Sequence, residues 1–320
     1  MAGSARIVGL GIVGNEADVI EAFVRHHARL LDELVLVVHR PVDETRAILE
    51  SLAAEGLPLV LRDARHAAFR QADETSGVAR ELLRSGADFI VLLDADEFLR
   101  LPDPDYLRRA LPALPADRFG AWRWQSYVPL PEDDAREPNP LKRIRHRRRE
   151  EGFDCFKVVL TRAFLREEFF LLEGNHCVMQ PGESGAAVPA PMTEYKAVRL
   201  AHFPVRSREQ LEAKVILGEL GKREAHAADP SLGTHWRQLY EMIRDHGPPD
   251  AQALRRVAVR YAFPGDAQLD LPADGLVEDP VPADFELRYL PPGSRTALQT
   301  VLRWLDARAG AAHRPAEGAA

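Results

Sequence analysis

The sequence holds only two cysteines, Cys155 and Cys177. Two cannot frame a disulfide scaffold or supply a structural zinc set, and they suit a reducing compartment. Long apolar runs are also missing. The run at residues 7–13 is far short of the roughly 20 residues a membrane helix needs, and it meets Asn15 and Glu16 at once. It lacks the pattern of a secretory signal, and no other stretch is apolar enough to span a bilayer. A strong charge of one sign is absent too. A formal net charge of −7 over 320 residues offers no broad surface to a polyanion, so nucleic acid is not an expected partner. No internal repeat or sustained heptad pattern appears. These absences lead to the expectation of a cytoplasmic globular protein, with peripheral association at an inner membrane face still open. The length allows one large domain and an appendage.

What is present centres on Phe89-Ile90-Val91-Leu92-Leu93-Asp94-Ala95-Asp96-Glu97-Phe98-Leu99. A short continuous apolar run suits a strand buried on both faces. It ends in three carboxylates within four residues. Ionised carboxylates are costly to desolvate without a partner, and a divalent cation is the natural one. Asp94 and Asp96, two residues apart, can share a hard metal with a phosphate-bearing ligand.

The preceding chain alternates strand and helix. Strands are expected at residues 6–13, 34–38, 57–61 and 88–93. Asn15 is placed to cap the first helix, and Asp43 the second, which stops at Gly56. A third helix over 72–84 ends at Gly86. This β-α-β-α-β-α-β order predicts an α/β fold with a mostly parallel sheet and flanking helices. Ligands in such sheets bind beyond the carboxyl ends of the strands. The acidic cluster, the Gly14-Asn15-Glu16 turn, the loop at 39–43 and the loop after Leu61 should therefore share one rim. Gly9, Gly11 and Gly14 have dinucleotide-fingerprint spacing, but the first two fall inside the strand.

Further strands are expected at 119–127, 156–161, 169–172 and 195–203, with loops at 129–140 and 181–191. Residues 142–149 are a basic run. Ser207 opens a helix to about residue 222, with Gln210 placed for a capping box. Beyond it the chain reads as helices at 235–244, 251–261 and 295–309, with an acidic, proline-rich stretch at 264–292. The expected division is a domain over 1–225, a helical C-terminal extension over 226–309 and a disordered tail over 310–320.

Several segments resemble family 2 glycosyltransferases. Gly14-Asn15-Glu16 looks like the family's Asn-Glu turn. Val37-Val38-His39-Arg40-Pro41-Val42-Asp43-Glu44-Thr45 is similar to its Asp-x-x-Ser-x-Asp-Gly-Thr loop. Asp94-Ala95-Asp96-Glu97-Phe98 matches the Asp-Ala-Asp-Glu-Phe form of its Asp-x-Asp motif, found in a bacterial subgroup. Residues 200–207, with Glu209, Gln210 and Lys214, are similar to that subgroup's later His-Phe-x-x-Arg-Ser segment. The resemblance covers roughly residues 5–222.

It implies a GT-A (Rossmann-like) fold and inverting, hexosyltransferase-like chemistry. A sugar would move from a nucleotide-sugar donor to a glycan, lipid-linked or small-molecule acceptor. The implied cofactor is a divalent metal, Mn2+ or Mg2+. The metal candidates are Asp94, Asp96 and His202, with His176 as rival. The donor-binding candidates are Asn15, Glu16, Asp43, Asp63, Asp94 and Lys157. On the residues alone, Arg206 and Lys214 read equally as holders of phosphate oxygens and as surface charges. No catalytic base stands out, and Glu97 is the one weak candidate. Val38 replaces the family's base-reading Asp, and Pro41, Val42 and Glu44 also depart from its loop. Asp63 is then the remaining candidate for reading the donor base. Two other classes stay open on the residues: a nucleotidyl- or phosphoryl-transferring enzyme using the same carboxylates, and a non-catalytic binding protein on a degenerate scaffold.

Overall fold

The computed structural model describes residues 5–66, 69–151, 154–166, 168–225, 234–261, 275–289 and 296–312. Strand β1 (Ile7–Val13) is buried along its whole length. It lies between β2 (Glu33–Val38) and β4 (Phe89–Leu92), parallel to both, and β3 (Leu59–Asp63) continues the parallel run beyond β2. Helices α1 (Ile20–His27), α2 (Thr45–Ala54) and α3 (Gln71–Arg84) make the crossovers. Side chains alternate between the two faces of the sheet. Val8, Leu10, Ile12, Ile90 and Leu92 pack with Val78 and Leu82 of α3, whereas Val13, Leu34, Leu36 and Val91 pack with Phe23 of α1 and Leu49 of α2. At Gly11 a Cβ would come 2.6 Å from the Leu93 carbonyl oxygen, so only hydrogen fits between β1 and the end of β4. Gly56 and Gly86, at φ +82° and +105°, follow α2 and α3 as the sequence suggested.

The second half of the sheet is mixed. β8 (Phe156–Thr161) runs antiparallel to β4, and β6 (Phe119–Val128) antiparallel to β8. β12 (Met192–His202) lies parallel to β6 and antiparallel to β5 (Glu97–Arg100). β7 (His146–Arg148) and a short strand (Leu276–Glu278, β13) complete the far edge. The result is a ten-stranded sheet whose main path is β13-β7-β6-β8-β4-β1-β2-β3. The fold class is α/β, with helices on its faces and a helical C-terminal part: α6 (Arg208–Ala225), α7 (Thr234–His246), α8 (Ala251–Arg260) and α9 (Ala297–Ala312). Two shorter helices, α4 (Tyr106–Ala110) and α5 (Pro140–Arg143), complete the labels. Val128 of β6, Leu211 and Val215 of α6, Ile243 of α7 and Ala258 and Val259 of α8 form a separate apolar cluster. No described helix is long and apolar enough to cross a membrane.

Some local expectations change. Asn15 does not cap α1, which starts five residues later, after a turn in which the Glu16 carbonyl accepts from Val19 and Ile20. Its side chain instead accepts from the Val42 amide at 2.7 Å, which fastens the β1–α1 loop to the β2–α2 loop. The expected loop at 181–191 contains a strand, β11 (Ala187–Pro189). It pairs with β10 (Val178–Pro181), which pairs in turn with β9 (Phe170–Leu171), making a small antiparallel sheet. The basic run is spent internally: Arg145 pairs with Glu278, Arg147 with Asp279, and Arg148 is 1% exposed. The capping box at Ser207 forms, since Ser207 Oγ accepts from Gln210 N at 3.1 Å and Gln210 Oε1 from Arg206 N at 3.0 Å. Residues 310–312 of the expected disordered tail continue α9, and 313–320 lie outside the described residues. Of the proline-rich stretch, only 275–289 are described within 264–292.

Candidate functional site

The acidic cluster sits at the carboxyl ends of β1, β2 and β4, where the chain passes from β4 to β5. Asp94 to Glu97 form a turn closed twice: Glu97 N donates to Asp94 O at 3.1 Å, and Asp94 N donates to Glu97 Oε2 at 2.7 Å. β12 ends beside it, with Phe203 N donating to Asp96 O at 2.8 Å and His202 opposite Glu97 in register. Parallel-strand geometry thus sets Asp94 and Asp96 at the rim, and the β12 pairing delivers His202 to them.

Each acid has a cationic partner. Lys157, 0% exposed on β8, places Nζ 2.6 Å from Asp94 Oδ2, 3.1 Å from Glu97 Oε1 and 2.9 Å from the Gly174 carbonyl. That satisfies all three ammonium hydrogens. Burial alone would lower the Lys157 pKa, but the two carboxylates hold it above the usual lysine range. Gln71, at the start of α3, donates to Asp94 Oδ1 at 3.1 Å and accepts from Gly174 N at 3.0 Å. Asp94 therefore has both oxygens engaged. Glu97 is fully buried and also accepts from Trp124 Nε1 at 2.7 Å. Burial pushes its carboxyl up to about 8. With Asp94 N, Trp124 and Lys157 on its two oxygens, Glu97 is built to hold the turn rather than to reach a substrate.

Asp96 faces a second group. Lys214 of α6 lies 2.7 Å from Oδ2, Arg206 3.7 Å from the same oxygen, and His202 Nε2 3.8 Å from Oδ1. Burial would raise the Asp96 carboxyl, but Lys214, His202 and Arg206 outweigh it and hold it below the usual carboxylate range. Burial pushes His202 down to about 3, so its ring is neutral at pH 7. The neutral ring packs 4.1 Å from that of Trp124. Arg206 links this group to the β1–α1 loop through Glu16, whose carboxylate is 2.8 Å away, and through Asp18. Glu16 is pushed up to about 7 by burial, against the pull of Arg206 and Lys214.

The structure places the other sequence candidates as follows. Asp43 accepts from Ala17 N and Thr45 N, each at 3.0 Å, so it knits two rim loops together at the start of α2. Asp63 is 79% exposed at the end of β3 and pairs with Arg46. His176 donates from Nδ1 to the Phe156 carbonyl at 2.8 Å and touches the edge of Trp124. Asn15 and Glu16 lie in the same loop, with Glu16 N donating to Thr45 Oγ1 at 2.8 Å. Of the two histidines, His202 is the one paired with Asp96.

Among the described residues no group of three or more His, Cys, Asp and Glu side chains converges on a metal position. The donor chemistry nonetheless suits a divalent ion at Asp96 and His202. One is an ionised carboxylate and the other a neutral imidazole, and they face each other at the strand ends. Asp94, held by Lys157 and Gln71 through one contact on each oxygen, keeps lone pairs on both and stays 29% exposed beside them. Residues outside the sequence candidates complete the site: Gln71, Trp124 and Tyr261. Tyr261, just past α8, sets its ring edge-on to His202 at 5.7 Å and 5.9 Å from Lys214 Nζ. Nothing in the local sequence marks it, because it arrives from the C-terminal helices. Trp124 lay in the strand expected at 119–127 but carried no sign that its indole N–H would bind an acid.

Fold and site together define a mixed α/β protein with a buried, charge-compensated acidic turn at its strand ends. No protein-family model and no curated protein matches the sequence. Among solved structures, a mannosyltransferase from Pyrobaculum calidifontis in complex with GDP-Man and Mn2+ is similar at 23% identity, over 37% of this chain and 35% of that one, with a TM-score of 0.30. A glucosyl-3-phosphoglycerate synthase from Mycobacterium tuberculosis, with Mn2+, UDP and phosphoglyceric acid, is similar at 16% identity, over 52% of this chain and 58% of that one, with a TM-score of 0.30. A putative glucose-1-phosphate thymidylyltransferase from Bacillus anthracis is similar at 12% identity, over 49% and 72%, with a TM-score of 0.29. The match thus spans about a third of the first of these chains and under two thirds of the second. The functional reading rests on this chain's own residues.

Proposed function

We propose that this chain is a metal-dependent, inverting glycosyltransferase of the family 2 type, moving a sugar from a nucleoside-diphosphate donor to an acceptor hydroxyl. The observation that carries the reading is the Asp94–Glu97 turn at the carboxyl ends of the parallel strands. Two buried cations, Lys157 and Arg206, and the partly exposed Lys214 hold it. A fold that buries this many charges at a ligand-binding rim meets a desolvation cost, which a charged ligand or a catalytic role offsets.

In this reading Asp96 and His202 hold the divalent cation. When bound, it supplies positive charge against the leaving diphosphate. The chain's own residues do the rest. Lys157 and Gln71 fix Asp94, the expected donor contact, at the rim. Lys214 and Arg206 hold Asp96 ionised and lend positive charge beside the diphosphate. Glu16 and Asn15 set the β1–α1 loop against the β2–α2 loop, where the donor nucleoside lies. Residues 1–225 form the catalytic domain and 226–309 an extension to it. The acceptor is a glycan, a lipid-linked sugar or a small molecule with a free hydroxyl.

The test is a thermal-shift panel of UDP, GDP, dTDP and CMP and their sugar conjugates, each with and without Mn2+. The expected result is stabilisation by one nucleotide class, only with metal. At a hundredfold excess over Kd this amounts to about 2.7 kcal/mol. Stabilisation by a nucleoside triphosphate with release of pyrophosphate would instead mark a nucleotidyltransferase. No shift with any nucleotide would leave a binding scaffold without this chemistry.

A further inference from the structure

Among the described residues, the extension reaches the acidic centre at the end of α8. Its last turn packs into the apolar cluster of β6, α6 and α7 through Ala258 and Val259. The chain then leaves the helix at Tyr261 in an extended conformation, φ −53° and ψ 130°. At that residue the ring lies against His202 and near Lys214. The electrostatic neighbours of its phenol are Lys214, Asp96, Asp94 and Glu16, the groups that make up the site.

Tyr261 is held there by a buried side chain from the sheet. Arg148 of β7 donates from Nη2 to the carbonyls of Ala258 at 3.1 Å and Tyr261 at 3.0 Å. These carbonyls belong to the end of α8, where a helix leaves acceptors unpaired and favours a cation. Arg148 Nη1 donates to Glu151 Oε2 at 3.2 Å, and Glu151 accepts from Ser126 N at 2.6 Å and Ser126 Oγ at 2.7 Å. Ser126 is the register partner of His202 on β12. A continuous strut thus runs from the strand beside His202 through Glu151 and Arg148 to the backbone of Tyr261. It fixes the tyrosine relative to the histidine that its ring meets edge-on.

We propose that Tyr261, carried by the C-terminal extension and held by Arg148, forms one wall of the donor diphosphate site, contacting the bound ligand and shielding the Asp96–His202 edge from water. The ligand contact rests on the transferase reading above; the shield rests on geometry alone. A phenol is suited to the place. Its hydroxyl donates to a phosphate or pyranose oxygen, and its ring excludes water that would compete with an acceptor hydroxyl. Arg148 acts through Tyr261 and is a positioning residue.

Full-length Tyr261→Phe, Tyr261→Ala, Arg148→Met and Arg148→Lys test the proposal with two readouts. The first is calorimetric affinity for UDP, GDP and dTDP with Mn2+. The second is modification of His202 by diethyl pyrocarbonate, mapped by peptide mass spectrometry. Tyr261→Phe is expected to keep His202 protected and to weaken diphosphate binding about tenfold, the order of one lost hydrogen bond to a charged group. Tyr261→Ala and Arg148→Met are expected to expose His202 and weaken binding further, with Arg148→Lys restoring part of the protection. His202 no more reactive in Tyr261→Ala than in the wild type overturns the shield. Tyr261→Phe binding as tightly as the wild type overturns the ligand contact. A wild-type protein that binds none of the three nucleotides overturns the transferase reading and the contact with it, while the His202 protection pattern still decides the shield.

Discussion

Arg206 grips Asp18 in a two-pronged ion pair across 188 residues of sequence, Nε to Oδ2 at 2.6 Å and Nη2 to Oδ1 at 2.9 Å. The guanidinium is fully buried, and the same Nη2 reaches Glu16 at 2.8 Å. The pair fastens the loop that opens α1 to the segment between β12 and α6. Arg206→Met should lower stability by about 3 kcal/mol, the lower end for breaking a buried pair, because Asp18 is partly exposed. Arg206→Lys should recover only part of that, since one ammonium cannot present the fork. Urea unfolding measures both, and equal midpoints for all three proteins would mean the pair contributes nothing.

Asp96 carries the heaviest functional expectation. Asp96→Asn keeps the shape but removes the charge that Lys214 and Arg206 share. Calorimetry should show Mn2+-dependent nucleoside-diphosphate binding weakened at least tenfold. Asp63→Asn, on an exposed acid at the sheet edge, should leave it unchanged. The reverse pattern would move the donor site away from the acidic turn.

Lys157 is the test of the turn itself. Lys157→Met strands Asp94 and Glu97 without their cation and should cost about 3–5 kcal/mol. At pH 9, above the Glu97 value of about 8, adding Glu97→Gln should return part of the loss, because a carboxyl that burial keeps from ionising is then replaced by a neutral amide. The two changes should therefore be clearly non-additive in a double-mutant cycle. Simple additivity would show that the contact, though short, carries no coupling.

Stability should peak near pH 6.5. Burial pushes His26 down to about 4, His202 to about 3 and His27 well below its ordinary value. The unfolded chain, with histidines near 6.5, binds more protons as pH falls below that value, so stability drops on the acid side. Glu16 and Glu97 have the opposite sign. Their folded values, raised to about 7 and 8, give a contribution that is complete below about 4.5 and lost as pH rises through 7 to 8. Above about 6.5 only the loss remains. Thermal midpoints from pH 4.5 to 8.5 should trace this dome. His26→Gln, whose amide can still donate to the Leu99 carbonyl, should flatten its acid limb, and Glu97→Gln its alkaline limb. A limb untouched by its substitution would rule out that group as its source.

Much of the first half of the fold was legible because its signals are local. Apolar runs of strand length, glycines at helix ends and the acidic turn after β4 each mark one element within a few residues. The pairing of Asp96 with Lys214, by contrast, depends on β12 and α6 returning to the end of β4. Asn15 failed as a helix cap because a competing amide, that of Val42, comes from another loop and leaves no trace nearby. The internal pairing of the basic run at 142–149 was not legible because its acids, Glu278 and Asp279, lie more than 120 residues away. Tyr261 could not be read at all. Its role follows from Arg148, a residue whose sequence neighbours suggest solvent.

The pairing of β13 with β7 sets how far the protein can be cut. A bare strand edge offers unpaired amides and carbonyls to any other chain, and proteins block such edges with charge or a covering segment. At one end of this sheet β3 carries Arg62 and Asp63, paired with Glu81 and Arg46. At the other, β7 is covered by three residues of β13, Leu276–Glu278. A fragment stopped at residue 225 would uncover β7 and leave the buried Arg148 without the helix it caps. Such a fragment should self-associate through that edge more than the full chain does, a difference that light scattering reads.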